Sequence, residues 1–335
     1  MRRIVTGISC ALLASLALAH HGWAPHYDGN AHVTVTGIIT SFEFVNPHAF
    51  VYLDVVNEAG GTETRWCEMQ ARSQLQRRGI GEEQFQVGSI ITIEGFRSRL
   101  DPAGCEFGTG YFHDGTTLTL RQSNGQSVYG AQLAEGNTSI VGTWYPEVFL
   151  SEAGSVEDSR FELTPTGEAA HADFDWLTQN PTLRCSPASN IRAWAAPGLP
   201  TRVERRGNEI HIHHEFMDAQ RVIYLDRFEH PQDEPPTDLG HSIGRFDDGT
   251  LHVETARFAV GALWAGRLNT EMLTTTKKLW VNPQTGHLVL EWTAYDPAYY
   301  TAEHHGTRTL VRTDLTIGRF DCDPSLGHTP TDRVL

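Results

Sequence analysis

Several things are scarce in this sequence, and each shortage narrows the function. Lysine occurs only at Lys277 and Lys278, and 26 Lys and Arg residues face 41 Asp and Glu, for a formal net charge of -15. So acidic a surface repels phosphate backbones, which argues against nucleic acid as a partner. Beyond residues 4–18 no apolar run is long enough to cross a bilayer, so no membrane span is expected. A Gly-x-Ser-x-Gly elbow, a phosphate loop and a dinucleotide fingerprint are all missing, which argues against phosphoryl transfer, hydride transfer and any nucleotide cofactor. There is no Cys-x-x-Cys pair of the kind a thiolate metal site needs, and no long helical periodicity.

What is present starts with a leader. Met1-Arg2-Arg3 precedes the apolar segment Ile4 to Leu18, and Ala17-Leu18-Ala19 has the small-x-small form that signal peptidase accepts. Residues 1–19 therefore read as a secretion signal, and a periplasmic or secreted protein is expected. Cleavage removes Cys10 and leaves Cys67, Cys105, Cys185 and Cys322, an even number that favours disulfides in an exported chain. Three pairings are open. If each domain closes on itself, the pairs are Cys67 with Cys105 and Cys185 with Cys322. About 315 mature residues suggest two domains.

The pattern along the chain is that of strands. Residues 33–45 alternate, break at Asn46-Pro47 and resume at 48–55; a Gly60-Gly61 turn leads to a third strand ending near Glu68. A short helix is expected over 73–78, stopped by Gly79, followed by strands over 89–96 and 116–120. That order fits a small OB-like barrel, or equally an open sandwich, over residues 20–122. Residues 123–137, rich in Gly, Gln, Ser and Asn, read as a linker. Further strands, at 209–216, 221–225, 250–258, 278–281, 287–295 and 307–313, with turns at Asp248-Gly249 and 282–286, predict a larger antiparallel β-barrel over 138–325 and a tail over 326–335. The fold class is all-β.

Two resemblances attach to these segments. His20-His21-Gly22-Trp23, Tyr27-Asp28, Asn46-Pro47-His48 and the Trp66 to Glu68 region resemble a family of secreted bacterial domains of unknown function, over roughly residues 20–120. One residue separates Trp66 from Glu68 here, where that family has two. Gly142-Thr143-Trp144 resembles the Gly-x-Trp opening of lipocalin-like barrels, and Ile223-Tyr-Leu-Asp226 with Gly240 to Phe246 is similar to a companion domain in other exported proteins. These resemblances imply location and architecture, and no activity.

Chemistry is concentrated on residues 209–217. On a strand, Ile210, Ile212 and His214 share one face and His211, His213 and Glu215 the other. Residues 250–258 repeat the division, with His252 and Glu254 opposite Leu251 and Val253. If the polar faces align, His211, His213 and His252 suit a divalent metal, zinc or copper; without metal, His211 or His213 with Glu254 suits general acid-base catalysis of a lyase or hydrolase kind. A solvated sheet face is the plain alternative. The proline-rich loop between Phe228 and His241 is too long for a hairpin turn and suits a lid or binding loop, bringing His241 to the barrel mouth. His241 and Tyr300, near the mouth, are further catalytic candidates, and Tyr299, His304 and Trp264 are the aromatic candidates for contact with a planar, partly apolar ligand. A separate possibility places copper on the mature N-terminal amine with His20, His21 and His48, and a third has the chain as an envelope interaction module with no small ligand.

Overall fold

The computed structural model describes residues 26–121, 139–146, 162–175, 179–196, 198–264 and 267–326. The expected signal segment, His20 and His21, the 123–137 linker and nearly all of the 326–335 tail lie outside the described residues.

Alternating sequence makes the first sheet. Strands β1 (Tyr27–Glu43), β2 (Phe50–Val56), β3 (Thr62–Glu68), β4 (Ile90–Ser98), β5 (Gly104–Phe112) and β6 (Thr117–Thr119) pair in the order β3-β2-β1-β4-β5-β6. A parallel β3–β5 ladder at Trp66↔Gly104 and Cys67↔Cys105 closes the sheet on itself, which is the OB arrangement. The helix α1 (Arg72–Arg77) lies between β3 and β4 and sends Leu75, fully buried, into a core with Val35, Ile39, Leu53, Ile91, Ile93 and Phe107. It stops where expected: Gly79 adopts φ 71°, and the Ile80 amide reaches back to the Leu75 carbonyl at 3.0 Å. Its start is tied from a distance, since Asn46, 1% exposed beside a cis Pro47, accepts a hydrogen bond from the Ser73 amide at 3.2 Å.

The fifth closing strand is Gly104–Phe112 rather than 116–120, which forms only the short β6. Glycines hid it. A Cβ at Gly104 would sit 2.3 Å from the Trp66 ring, and one at Gly95 on the neighbouring strand 1.8 Å from the Glu106 carbonyl, so close approach demands the residues that weaken a strand pattern.

The second sheet is a closed barrel. β7 (Gly142–Pro146), β8 (Thr201–Arg206), β9 (Glu209–His214), β10 (Gln220–Tyr224), β11 (His241–Asp247), β12 (Thr250–Ala256), β15 (Thr274–Val281), β16 (Leu288–Tyr295) and β17 (His304–Arg312) run in the order β10-β11-β12-β15-β16-β17-β7-β8-β9. A hairpin of β13 (Gly261–Trp264) and β14 (Arg267–Asn269) stands apart. Every barrel pair is antiparallel except β10–β11, which run parallel through two residue pairs, Ile223↔Ser242 and Tyr224↔Ile243. Period-two alternation sends Val203, Ile210, Ile212, Ile223, Leu251, Val253, Leu279 and Leu290 inward to the core. Trp144, of the Gly-x-Trp segment, is fully buried there and donates its indole N–H to the Ile140 carbonyl at 2.7 Å. A helix the alternation gave no sign of, α2 (Pro165–Asp173), starts with Thr164 as N-cap and Pro165 in its first turn.

Two disulfides, Cys67–Cys105 and Cys185–Cys322, hold the chain. The two sheets meet at a buried ion pair between Arg77 of α1 and Glu215, just past β9. Ala71 joins Leu199, Phe216, Met217 and Phe320 in an apolar cluster at the same junction. Among the described residues no helix is long and apolar enough to cross a membrane.

Candidate functional site

Parity decides which side of the barrel wall carries each histidine. Ile210, Ile212 and His214 point inward, so His211 and His213 stand on the outer face of β9. There they are flanked by outward residues of β8, through the pairs Glu204↔His211 and Arg202↔His213, and of β10, through His211↔Val222 and His213↔Gln220. Glu209, two residues back on the same face, takes His211 Nε2 at 2.7 Å.

This outer face is not simply wet, because the segment between β10 and β11 folds over it. Pro231, Glu234, Pro235, Thr237 and Leu239 roof a cleft of about 590 Å³ whose walls include His211, His213, His241, Val222 and Tyr224. The roof is pinned at several points. Arg257 Nη2 donates to the carbonyls of Gln232 and Glu234 at 3.3 and 2.6 Å, Ser186 donates to Asp238, and Thr237 bridges to Phe258. His230 and His241 share a hydrogen bond between their Nδ1 atoms at 2.8 Å, and the His241 ring stacks on Tyr224 at 5.2 Å. Burial, with His230 and Arg227 close by, lowers the His241 pKa below the ordinary histidine value.

The remaining candidates separate. His252 and Glu254 do lie on the outer face of β12, opposite Leu251 and Val253, but β10 and β11 stand between them and β9. Glu254 instead approaches His230 Nε2 at 3.6 Å, a residue the sequence pattern did not single out because it lies in the loop. Among the described residues, no three His, Cys, Asp or Glu side chains gather as a metal site. Tyr300 is 1% exposed and donates to the Leu268 carbonyl at 2.5 Å, packed edge-on to His304 at 4.8 Å and to His171 at 6.1 Å. Burial raises the Tyr300 phenol and pushes the His304 imidazole down to about 4. Tyr299 packs near the same His171, and Trp264 ends β13, its side chain outside the described residues. Tyr299, Tyr300 and His304 are not among the residues that line the cleft. In the first sheet His48 Nδ1 lies 2.9 Å from Glu68, which also accepts from the Tyr27 hydroxyl.

Behind the cleft the barrel interior carries a polar layer. Arg221 of β10, Lys277 of β15 and His214 of β9 all sit at inward positions, 7%, 3% and 0% exposed. Arg221 is also among the residues that line the cleft, as are Ile212, Leu239 and Gly240. The short 188–196 segment closes this end of the barrel, placing Asn190 against Lys277 and Trp194 edge-on to His214 at 5.0 Å. The sequence does hold a signal for this layer: Arg221 keeps step with Ile223, and Lys277 with Leu279 and Val281, so each is a cation at core parity.

Residues 9–106 match a family described as a family of unknown function, DUF6152. No curated protein matches the chain. Among solved structures, crystal structures of the fluorescent protein UnaG, wild type and an N57A mutant, each match 52% of this chain and 97% of their own at 16% identity and a TM-score of 0.25.

Proposed function

We propose that the chain is an exported binding protein whose C-terminal barrel, over residues 138–325, holds a small, partly apolar molecule in the roofed cleft beside β9. One observation carries this reading: a cleft of about 590 Å³, of ligand-pocket size, lies between a rigid sheet face and a pinned loop, with His211, His213 and His241 on its walls. Apolar surface from Val222, Tyr224 and the roof prolines supplies contact, and the histidines supply hydrogen-bond partners that set orientation. His211, oriented by Glu209, is placed for proton transfer to whatever occupies the cleft. Two disulfides and the leader-like start of the sequence support export.

Fluorescence titration with the neutral dye N-phenyl-1-naphthylamine tests the reading. Saturable one-to-one binding is expected, and Val222→Trp, which fills the cleft from its outer wall, is expected to weaken it by about tenfold or more while leaving the melting temperature in place. Absent saturation, or unchanged affinity in V222W, refutes the cleft.

The arrangement of His48 favours a second reading for the first sheet. A carboxylate that orients one ring nitrogen leaves the other for a metal, as in many metal-ligating histidines. Copper bound with His20 and His21 is then expected to be lost in His48→Asn, and copper affinity equal to wild type in that variant refutes it.

A further inference from the structure

Charge buried in a protein is ordinarily matched by an opposite charge or by a full set of hydrogen bonds, because desolvation otherwise costs several kcal/mol per ion. The polar layer of the barrel departs from this. Arg221 Nη2 donates to Ser242 Oγ at 2.5 Å and to Thr255 Oγ1 at 3.3 Å, while Arg221 Nε and Nη1, both buried, have no hydrogen-bond partner among the described residues. Lys277 Nζ donates to Asn190 Oδ1 at 2.5 Å and to Thr275 Oγ1 at 3.4 Å, all neutral acceptors. His214 shares Nδ1 with Thr201 Oγ1 at 2.8 Å, and its Nε2 has no hydrogen-bond partner among the described residues.

The charges nearby add to the misfit. Burial pushes Arg221 down to about 10, and burial followed by Arg221 itself pushes Lys277 well below its ordinary value. Burial, then Arg221, His213 and Lys277, all press His214 toward its neutral form. Among the described residues, no carboxylate is one of the groups that act on any of the three. Three basic side chains thus lie together with only neutral hydrogen-bond acceptors among the described residues.

Arg221 links this layer to the cleft: it is among the lining residues, at a level of β10 where the β10–β11 ladder, only two residue pairs long, has not yet begun. Elsewhere the cleft lining carries Glu204, Glu234 and Asp238 alongside Arg202, Arg206 and Arg257, and these charges are largely engaged: Glu204 is held by Arg202 at 3.1 Å and by Arg206 at 2.6 Å, and Arg257 by the carbonyls of Gln232 and Glu234. A ligand with a negative end finds at Arg221 the lining cation whose Nε and Nη1 have no hydrogen-bond partner among the described residues.

We propose that the cleft holds an oxyanion site at Arg221, which, with Lys277 behind it, receives the carboxylate of a small, otherwise apolar molecule. The inference rests on the cleft being the binding site and specifies the chemical class it takes. It also accounts for cations at core parity that nothing else in the fold requires: they are placed for a partner that arrives from outside the chain.

Two dyes sharing one ring system separate the cleft from the charge. N-phenyl-1-naphthylamine is neutral, and 8-anilinonaphthalene-1-sulfonate adds a single oxyanion. In Arg221→Gln, affinity for the sulfonate is expected to fall about tenfold or more, the worth of a buried charge-assisted hydrogen bond, with the neutral dye unchanged within about twofold. Equal loss for both dyes, or loss for neither, overturns the oxyanion site while leaving the cleft standing. Failure of the neutral dye to bind the unaltered protein removes the cleft and this inference together. Should R221Q not fold, the unaltered protein still decides: benzoate is expected to displace the neutral dye at about a tenfold lower concentration than benzyl alcohol, and equal potency overturns the proposal.

Discussion

Replacing Arg77 by methionine is expected to destabilise the protein far more than a surface change would. Glu215 is 1% exposed, and its carboxylate accepts from Arg77 Nε at 3.1 Å, from Arg77 Nη2, and from the Gly318 amide at 2.7 Å. Arg77 also donates to the Thr316 carbonyl at 2.9 Å. R77M keeps most of the apolar stem but leaves a buried carboxylate with one of those three bonds. Removing one partner of a buried pair costs about 3–5 kcal/mol, chiefly through the charge left behind. Because the Arg77 side chain keeps 15% of its exposure, water reaches one edge of the pair and the lower end, about 3 kcal/mol, applies. Against a total stability of about 5–15 kcal/mol that is a large share. Guanidinium denaturation followed by tryptophan fluorescence measures it. The double variant R77M with Glu215→Leu, which leaves no charge buried, is expected to recover most of the loss. A single-variant cost below about 1 kcal/mol, or a double-variant cost equal to the sum of the two singles within about 0.5 kcal/mol, refutes the reasoning.

Two further outcomes follow from the first sheet and the disulfides. Burial opposes charge on both His48 and Glu68, but their mutual attraction prevails, raising His48 above 6.5 and holding Glu68 below 4.5. The histidine contribution is complete below pH 6.5 and fades as pH rises through its folded value; the glutamate contribution is complete above pH 4.5 and fades as pH falls through its own. The stability difference between wild type and Glu68→Gln is therefore expected to be widest between pH 4.5 and 6.5, and a difference that stays flat up to pH 8 in a denaturation series would count against it. Removing Cys185–Cys322, which closes a separation of 137 residues, by paired alanines is expected to cost about 5 kcal/mol on loop-entropy grounds, and a measured loss under about 1 kcal/mol rejects that account.

The architecture was legible because nearly every strand alternates, and alternation reports one dry face whatever the neighbours are. The helix before Gly79 and the turns at Asp248-Gly249 and 282–286 were readable for the same local reasons. Gly104–Phe112 was not, because the close contact of Gly104 with Trp66 removes the side chains that make a strand recognisable. The site was half legible. Parity separated His211 and His213 from Ile210 and Ile212, but parity cannot say what lies over the outer face; that depends on where residues 226–240 return, which is a tertiary fact. Nor could parity join Glu254 to His211, since strand order, not sequence pattern, puts two strands between them. Arg221 and Lys277 are visible in the sequence as cations in step with aliphatic residues, but a charged residue in a strand more often marks the wet side, so parity alone gives them no buried role.

The parallel β10–β11 pair has one more consequence. Strands running the same way cannot be joined by a tight turn: the chain must travel back along the whole length of β10 before β11 can begin. The segment roofing the cleft is that return path. Closure of the barrel therefore fixes its minimum length while leaving its composition free, so the covering over His211 and His213 cannot be shortened to a hairpin without opening the wall. The fold supplies a roof at that place by connectivity alone, and the residues along it are what remain available for choosing a ligand.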